Sequence, residues 1–131
     1  MKNPRKHILL FTILFAIVSA NATNMYWIGG TGAWKDGKHW SLNSGGMSSN
    51  TTPTSSDDVF FDRNSFTADK QTVMLTSNEA CHNIDWSDID DKVIFSSADF
   101  RSLNVTGSYT LSPLLWNGFK GKTIFSSTSF Y

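Results

Sequence analysis

The feature that most constrains this chain is the brevity of its apolar runs. From Met25 onward they are only a few residues long, and spacers rich in Ser, Thr, Asn, Asp and Gly separate them. A globular helix needs apolar residues recurring at i, i+3, i+4 and i+7. No window of a dozen residues in this part of the chain carries such a stripe. Short runs broken by turn formers are the pattern of an all-β chain. Candidate strands fall at Met25–Ile28, Val59–Phe61, Thr72–Leu75, Asn83–Trp86, Val93–Ser96, Leu103–Val105, Tyr109–Leu111 and Thr123–Ser126. Gln71–Leu75 and Leu103–Val105 alternate apolar and polar, so each is expected to bury one face and wet the other. Asp85–Asp91 has room for a single helical turn. Gly29-Gly30-Thr31-Gly32 and Ser44-Gly45-Gly46 mark turns, where glycine supplies positive φ without steric cost. The polar stretch from Asn43 to Ser56, which includes Pro53, is long for a loop in a compact domain.

An internal repeat suggests how such strands are arranged. Lys92-Val-Ile-Phe-Ser-Ser-Ala-Asp-Phe100 returns as Lys122-Thr-Ile-Phe-Ser-Ser-Thr-Ser-Phe130, an offset of 30. A fixed offset in this range points to stacked units, and short strands with polar turns stack as a β-solenoid. The offset predicts Ile94 over Ile124 and Phe95 over Phe125. The chain stops at Tyr131, soon after a strand-like segment and with no polar capping stretch. An open strand edge there calls for further rungs, a partner or self-association.

The first residues have a different character. Lys2, Arg5 and Lys6 precede the apolar run Ile8–Val18, and small residues follow at Ser19, Ala20, Asn21 and Ala22. That order is a secretory signal peptide, with cleavage after Ala20 or Ala22. The run is about half of the roughly 20 residues needed to span a bilayer, so no stable membrane span is expected after cleavage. Cleavage leaves eight basic residues against eleven acidic ones, a net charge of −3. With no basic patch, nucleic acid is not an expected partner. Cys81 is the only cysteine, so no internal disulfide can form, and a buried thiol is expected.

The residue types that carry chemistry do not assemble into a catalytic pattern. Asp57, Asp58 and Asp62 are hard oxygen donors, but they lack the spacing of a calcium loop. Their expected role is to accept backbone N–H groups at turns, and Asp85, Asp88, Asp90 and Asp91 read as a solvated turn. His39 and His82 are the histidines beyond the leader, and His82 beside Cys81 is not a ligand set. The Gly29–Gly32 run lacks the Lys-Ser/Thr of a phosphate loop. No catalytic residue, metal or cofactor is therefore assigned. Trp27, Trp34 and Trp40 remain as candidate ligand-binding residues: exposed together, they would stack on sugar rings, and buried, they would cap a core.

The blocks Tyr26-Trp-Ile-Gly-Gly-Thr-Gly-Ala-Trp34, Lys38-His-Trp-Ser41, Pro53-Thr54 and Asp57-Asp-Val-Phe-Phe-Asp62 carry a family likeness. They resemble the N-terminal region of large repetitive secreted or cell-surface proteins of Bacteroidota, commonly described as hypothetical or adhesin-like. Asn64-Ser-Phe-Thr67, Cys81, Asp85-Trp86 and Gly107-Ser-Tyr-Thr-Leu111 extend the resemblance over nearly all of the chain beyond the leader. The resemblance implies β-solenoid rungs, display outside the cell and, often, a C-terminal sorting domain for type IX secretion. It implies no defined reaction.

The expected architecture is thus all-β: a signal peptide over 1–22, an aromatic and Gly-rich cap with its polar loop over 23–58, and short right-handed β-solenoid rungs over 59–131. A β-sandwich is the alternative. The expected function is a secreted, non-enzymatic structural or adhesion-type module at the cell surface, meeting an extracellular polysaccharide or protein. The alternative is a carbohydrate-binding module using Trp27, Trp34 and Trp40. A degraded polysaccharide lyase or hydrolase would rest on fold analogy alone.

Overall fold

The computed structural model describes residues 21–126. The apolar leader run and the Phe130 end of the repeat lie outside the described residues. In chain order the elements are β1 (Asn24–Trp27), β2 (Gly32–Ala33), a 3-10 turn (Gly37–His39), β3 (Trp40–Ser41), β4 (Asp58–Asp62), β5 (Thr72–Leu75) and β6 (Glu79–Cys81). Then follow β7 (Ile84–Asp88), β8 (Val93–Ser97), β9 (Ser102–Val105), β10 (Tyr109–Thr110), β11 (Leu115–Gly118) and β12 (Lys122–Phe125). The protein is all-β, as its short alternating runs predict. In β5 Val73 and Leu75 are buried while Met74 is exposed, and in β9 Leu103 and Val105 are buried between half-buried neighbours.

The strands form three sheets, ordered β10-β7-β4-β1-β3, β11-β8-β5-β2 and β12-β9-β6. All pairings are parallel except β1 with β3. From β4 to β12 the chain visits the first, second and third sheet in turn, and each strand lies beside the one three places later. The register aligns equivalent positions. Met25, Val59, Ile84 and Tyr109 form one inward row, and Thr72, Ile94 and Trp116 form one outward row.

This register corrects the expected offset. The true partners Ile94 and Trp116 are 22 residues apart, Val59 and Ile84 are 25 apart, and Leu103 and Thr123 are 20 apart. Ile94 does not lie over Ile124, nor Phe95 over Phe125: β8 belongs to the second sheet and β12 to the third. Their environments differ accordingly, since Phe95 is buried and Phe125 exposed. The two segments share residues without stacking on one another. The segment read as a helical turn is β7, in which Ile84 and Trp86 point inward with period two. Before residue 59 the chain already contributes β1 and β2, which pair in parallel with β4 and β5.

Corner residues link successive passes of the chain. Asp58 Oδ1 accepts the Asn83 N–H at 3.1 Å, and Asn83 Oδ1 accepts the Ser108 N–H at 2.7 Å. Asp69 Oδ1 does the same for Lys92 at 2.8 Å, and Asn78 Oδ1 for Ser102 at 3.0 Å. These steps of 23 to 25 residues put a short polar side chain where one pass turns and a backbone donor of the next pass would otherwise need water.

Candidate functional site

The tryptophans singled out in the sequence come together, but inside the protein. Trp27, Trp34 and Trp40 are each 0% exposed. Gly29 and Gly30, at φ +82° and +71°, reverse the chain after β1. That turn places the Gly30 carbonyl 2.7 Å from Trp27 Nε1. Trp40 Nε1 likewise donates to the Trp34 carbonyl at 2.7 Å. Trp40 meets Trp27 and Trp34 edge-on, with centroids 5.1 and 4.9 Å apart. The assignment of these residues to ligand binding is therefore corrected: no indole face is open to stack on a sugar. The physical reason is that β3 runs antiparallel along β1 and turns both strands' large rings onto Phe61.

From there an aromatic column runs through the core. Phe61 stacks on Trp86 at 3.6 Å with planes 4° apart, Trp86 packs against Phe95, and Phe95 stacks on Phe119 at 5.0 Å. His39 belongs to the same assembly. Its ring lies flat on Trp27 at 4.7 Å, and its Nδ1 is 2.8 Å from the Ile28 carbonyl, so that nitrogen carries the proton. His82 contacts Thr106 Oγ1 through Nδ1, far along the chain from His39.

The aspartates act as turn acceptors. Asp57 receives Thr23 N–H on one oxygen and the Thr54 N–H and hydroxyl on the other. Asp62 receives the Asn64 N–H and the hydroxyls of Ser65 and Ser44. Asp88 pairs instead with Arg63 at 2.8 Å, which lowers the Asp88 pKa through that hydrogen bond. Among the described residues no three His, Cys, Asp or Glu side chains converge as a metal site. Cys81 is buried, and desolvation, with the nearby Asp58 charge, pushes its thiol up to about 12.

Two hollows on the surface are lined by exposed apolar groups. One is the C-terminal end of the strand stack, where Phe95, Tyr109, Leu111, Phe119, Thr123 and Phe125 line a hollow of about 250 Å³. Leu111 and Phe125 are each 65% exposed there. Burial also pushes the Tyr109 phenol up to about 12. The other is a groove of about 230 Å³ on the second sheet, lined by Asp69, Lys70, Lys92, Ile94 and Trp116. Trp116 is 65% exposed. Sequence reading passed over Trp116 because Leu114-Leu-Trp-Asn117 has no alternation and β11 was not predicted. The signal that would have found it is the 22-residue step from Thr72 through Ile94.

Comparison of the chain with protein-family models, with curated proteins and with solved structures gives no match. Among the described residues no helix is long and apolar enough to cross a membrane.

Proposed function

We propose that this chain is an exported, non-enzymatic structural or adhesion-type module, built as a β-solenoid and displayed outside the cell. The observation that carries the reading is the strand order: three sheets visited in rotation, each strand parallel to the one three places on. A sandwich of hairpins would pair consecutive strands antiparallel instead. Export is supported by the order of basic, apolar and small residues before Thr23. The absence of a catalytic assignment is supported by the carboxylates of Asp57, Asp58 and Asp62, which are engaged in holding the backbone and neighbouring side chains.

The two ends of the described strand stack also differ. At the N-terminal end β3, with Trp40, lies beside β1, whereas at the other end Leu111 and Phe125 are exposed. An apolar end of this kind is suited to contact with a partner, with further rungs or with a second copy.

Two tests address the reading separately. The exported protein should begin at Asn21 or Thr23, and recovery of an intact leader would refute export. Cysteine pairs placed at Ile94/Trp116, Asp85/Thr110 and Asn104/Ile124 should all form disulfides, because each pair lies side by side on outward positions. Crosslinking of Ile94 with Ile124 in place of those pairs would refute the rotation of strands.

A further inference from the structure

We propose that the groove beside Trp116 is a binding site for an acidic saccharide, a pyranose ring bearing a carboxylate or a sulfate. Three observations meet there. The Trp116 indole stands on an outward position next to Ile94, two-thirds exposed, so one broad apolar face is open to solvent. Lys70 and Lys92 flank it at one corner of the stack, their backbones joined by a hydrogen bond from Lys70 N–H to the Lys92 carbonyl at 2.6 Å. Lys70 is held at φ 65°, a left-handed conformation that non-glycine residues rarely adopt.

The ion pair found among the described residues is Arg63 with Asp88, so among them neither Lys70 nor Lys92 is engaged in one. Asp69, the acidic residue of the groove, accepts the Lys92 backbone N–H at 2.8 Å on Oδ1. A chain that is otherwise acidic once its leader is removed thus presents two exposed lysines in one groove with an indole. The axial C–H groups of a pyranose are complementary to an indole face, and a sugar carboxylate or sulfate is complementary to paired ammonium groups. A neutral sugar would satisfy the ring and leave both cations idle. An inorganic anion would satisfy the cations and leave the ring uncovered.

The proposal deepens the reading of an exported surface module and rests on it only for where the ligand is met. Binding by the purified chain is measured without reference to export, so either can fail alone. The test titrates trigalacturonate, a monosulfated galactobiose, neutral galactotriose and a short oligothymidylate into the protein lacking residues 1–22, by calorimetry at low salt. At least one acidic sugar is expected to bind at least tenfold more tightly than galactotriose or the oligonucleotide, and which one does so identifies the anionic group. Affinity should fall at least tenfold in Trp116→Ala and in Lys70→Met/Lys92→Met, recover largely in Trp116→Phe, and weaken as salt rises. All these side chains are exposed, so each variant should keep the parental far-UV spectrum. Equal binding of galactotriose, tighter binding of the oligonucleotide, no binding of either acidic sugar, or acidic-sugar binding unchanged in the double lysine variant would each overturn the proposal.

Discussion

Removing the side chain of Asn83 should loosen three passes of the chain at once. Asn83 Nδ2 donates to Asp58 Oδ1 at 2.8 Å, and its Oδ1 accepts from Ser108 N–H at 2.7 Å and Ser108 Oγ at 2.9 Å. One residue therefore ties the pass before it to the pass after it. A neutral hydrogen bond contributes about 0.5–1.5 kcal/mol net, and one to a charged group about 1.5–3 kcal/mol. The Asp58 link is half-buried and the Ser108 links are exposed, so water replaces part of what is lost. Asn83→Ala is therefore expected to cost about 2 kcal/mol rather than the sum of three full bonds. For a domain of this size, 1 kcal/mol moves the melting temperature by roughly 4–8 °C. Asn83→Ala should melt lower by about 8–15 °C, with an unchanged denaturant m value. Asn83→Asp keeps an acceptor for Ser108 but sets a carboxylate against Asp58, so its deficit should shrink as the pH falls through the carboxylate range. Thermal and urea unfolding of both variants provide the measurement. A loss below about 0.5 kcal/mol in Asn83→Ala would refute the view that corner side chains hold neighbouring passes together.

Further outcomes follow from the core. Phe61→Ala removes the ring stacked on Trp86, leaving a void the surrounding indoles cannot fill, and should cost about 3–5 kcal/mol in urea unfolding. Gly32→Ala would drive a methyl group into His39 Nε2, and His39 is pinned by Trp27 and the Ile28 carbonyl, so a loss of about 1–3 kcal/mol is expected. Burial raises both the Cys81 thiol and the Tyr109 phenol to about 12 from 9.0 and 10.0, so the folded state holds these protons longer than the unfolded chain. Stability should be complete below pH 9 and fall from there towards pH 12, by up to about 1.4 kcal/mol per pH unit for each group. Cys81→Ser should flatten the first part of that fall, and a stability independent of pH between 8 and 11 would contradict the burial of both groups.

The sequence is readable where period two meets turn chemistry, and it misleads where composition imitates register. Thr72–Leu75 has the same limits in the sequence reading as in the structure, because its buried valine and leucine flank an exposed methionine. β6 and β11 were passed over for a physical reason. Glu79-Ala-Cys81 is too short and polar to signal a strand by itself, and Leu115-Trp-Asn-Gly118 does not alternate; both are strands because a neighbouring strand offers its edge. The Lys92 and Lys122 segments show the opposite failure: identical letters occupy different sheets, since residue identity at a strand end does not fix which neighbour it meets. The period is instead carried by Asp58, Asn83 and Ser108, spaced by 25, and hydrophobicity does not report it. The sequence marks the tryptophans as a cluster and leaves two readings, a sugar-stacking surface or a cap of the core, and their burial agrees with the second. Clustering follows from the glycine turn between them, whereas exposure depends on β3, a two-residue strand with no signature of its own.

The placement of the aromatic block near the start of the chain has a consequence for the order in which structure forms. Trp27, Trp34, Trp40, Phe61 and Phe66 lie between residues 27 and 66 of the 131 and form one set of ring contacts. A polypeptide emerging from a narrow channel with this end first would have this aromatic block complete while the remainder is still threaded. Each later pass then finds a finished edge and a waiting acceptor at the corner. Folding of such a molecule would then be directional, and the first folded block, too wide to re-enter the channel, would act as a ratchet against backward sliding.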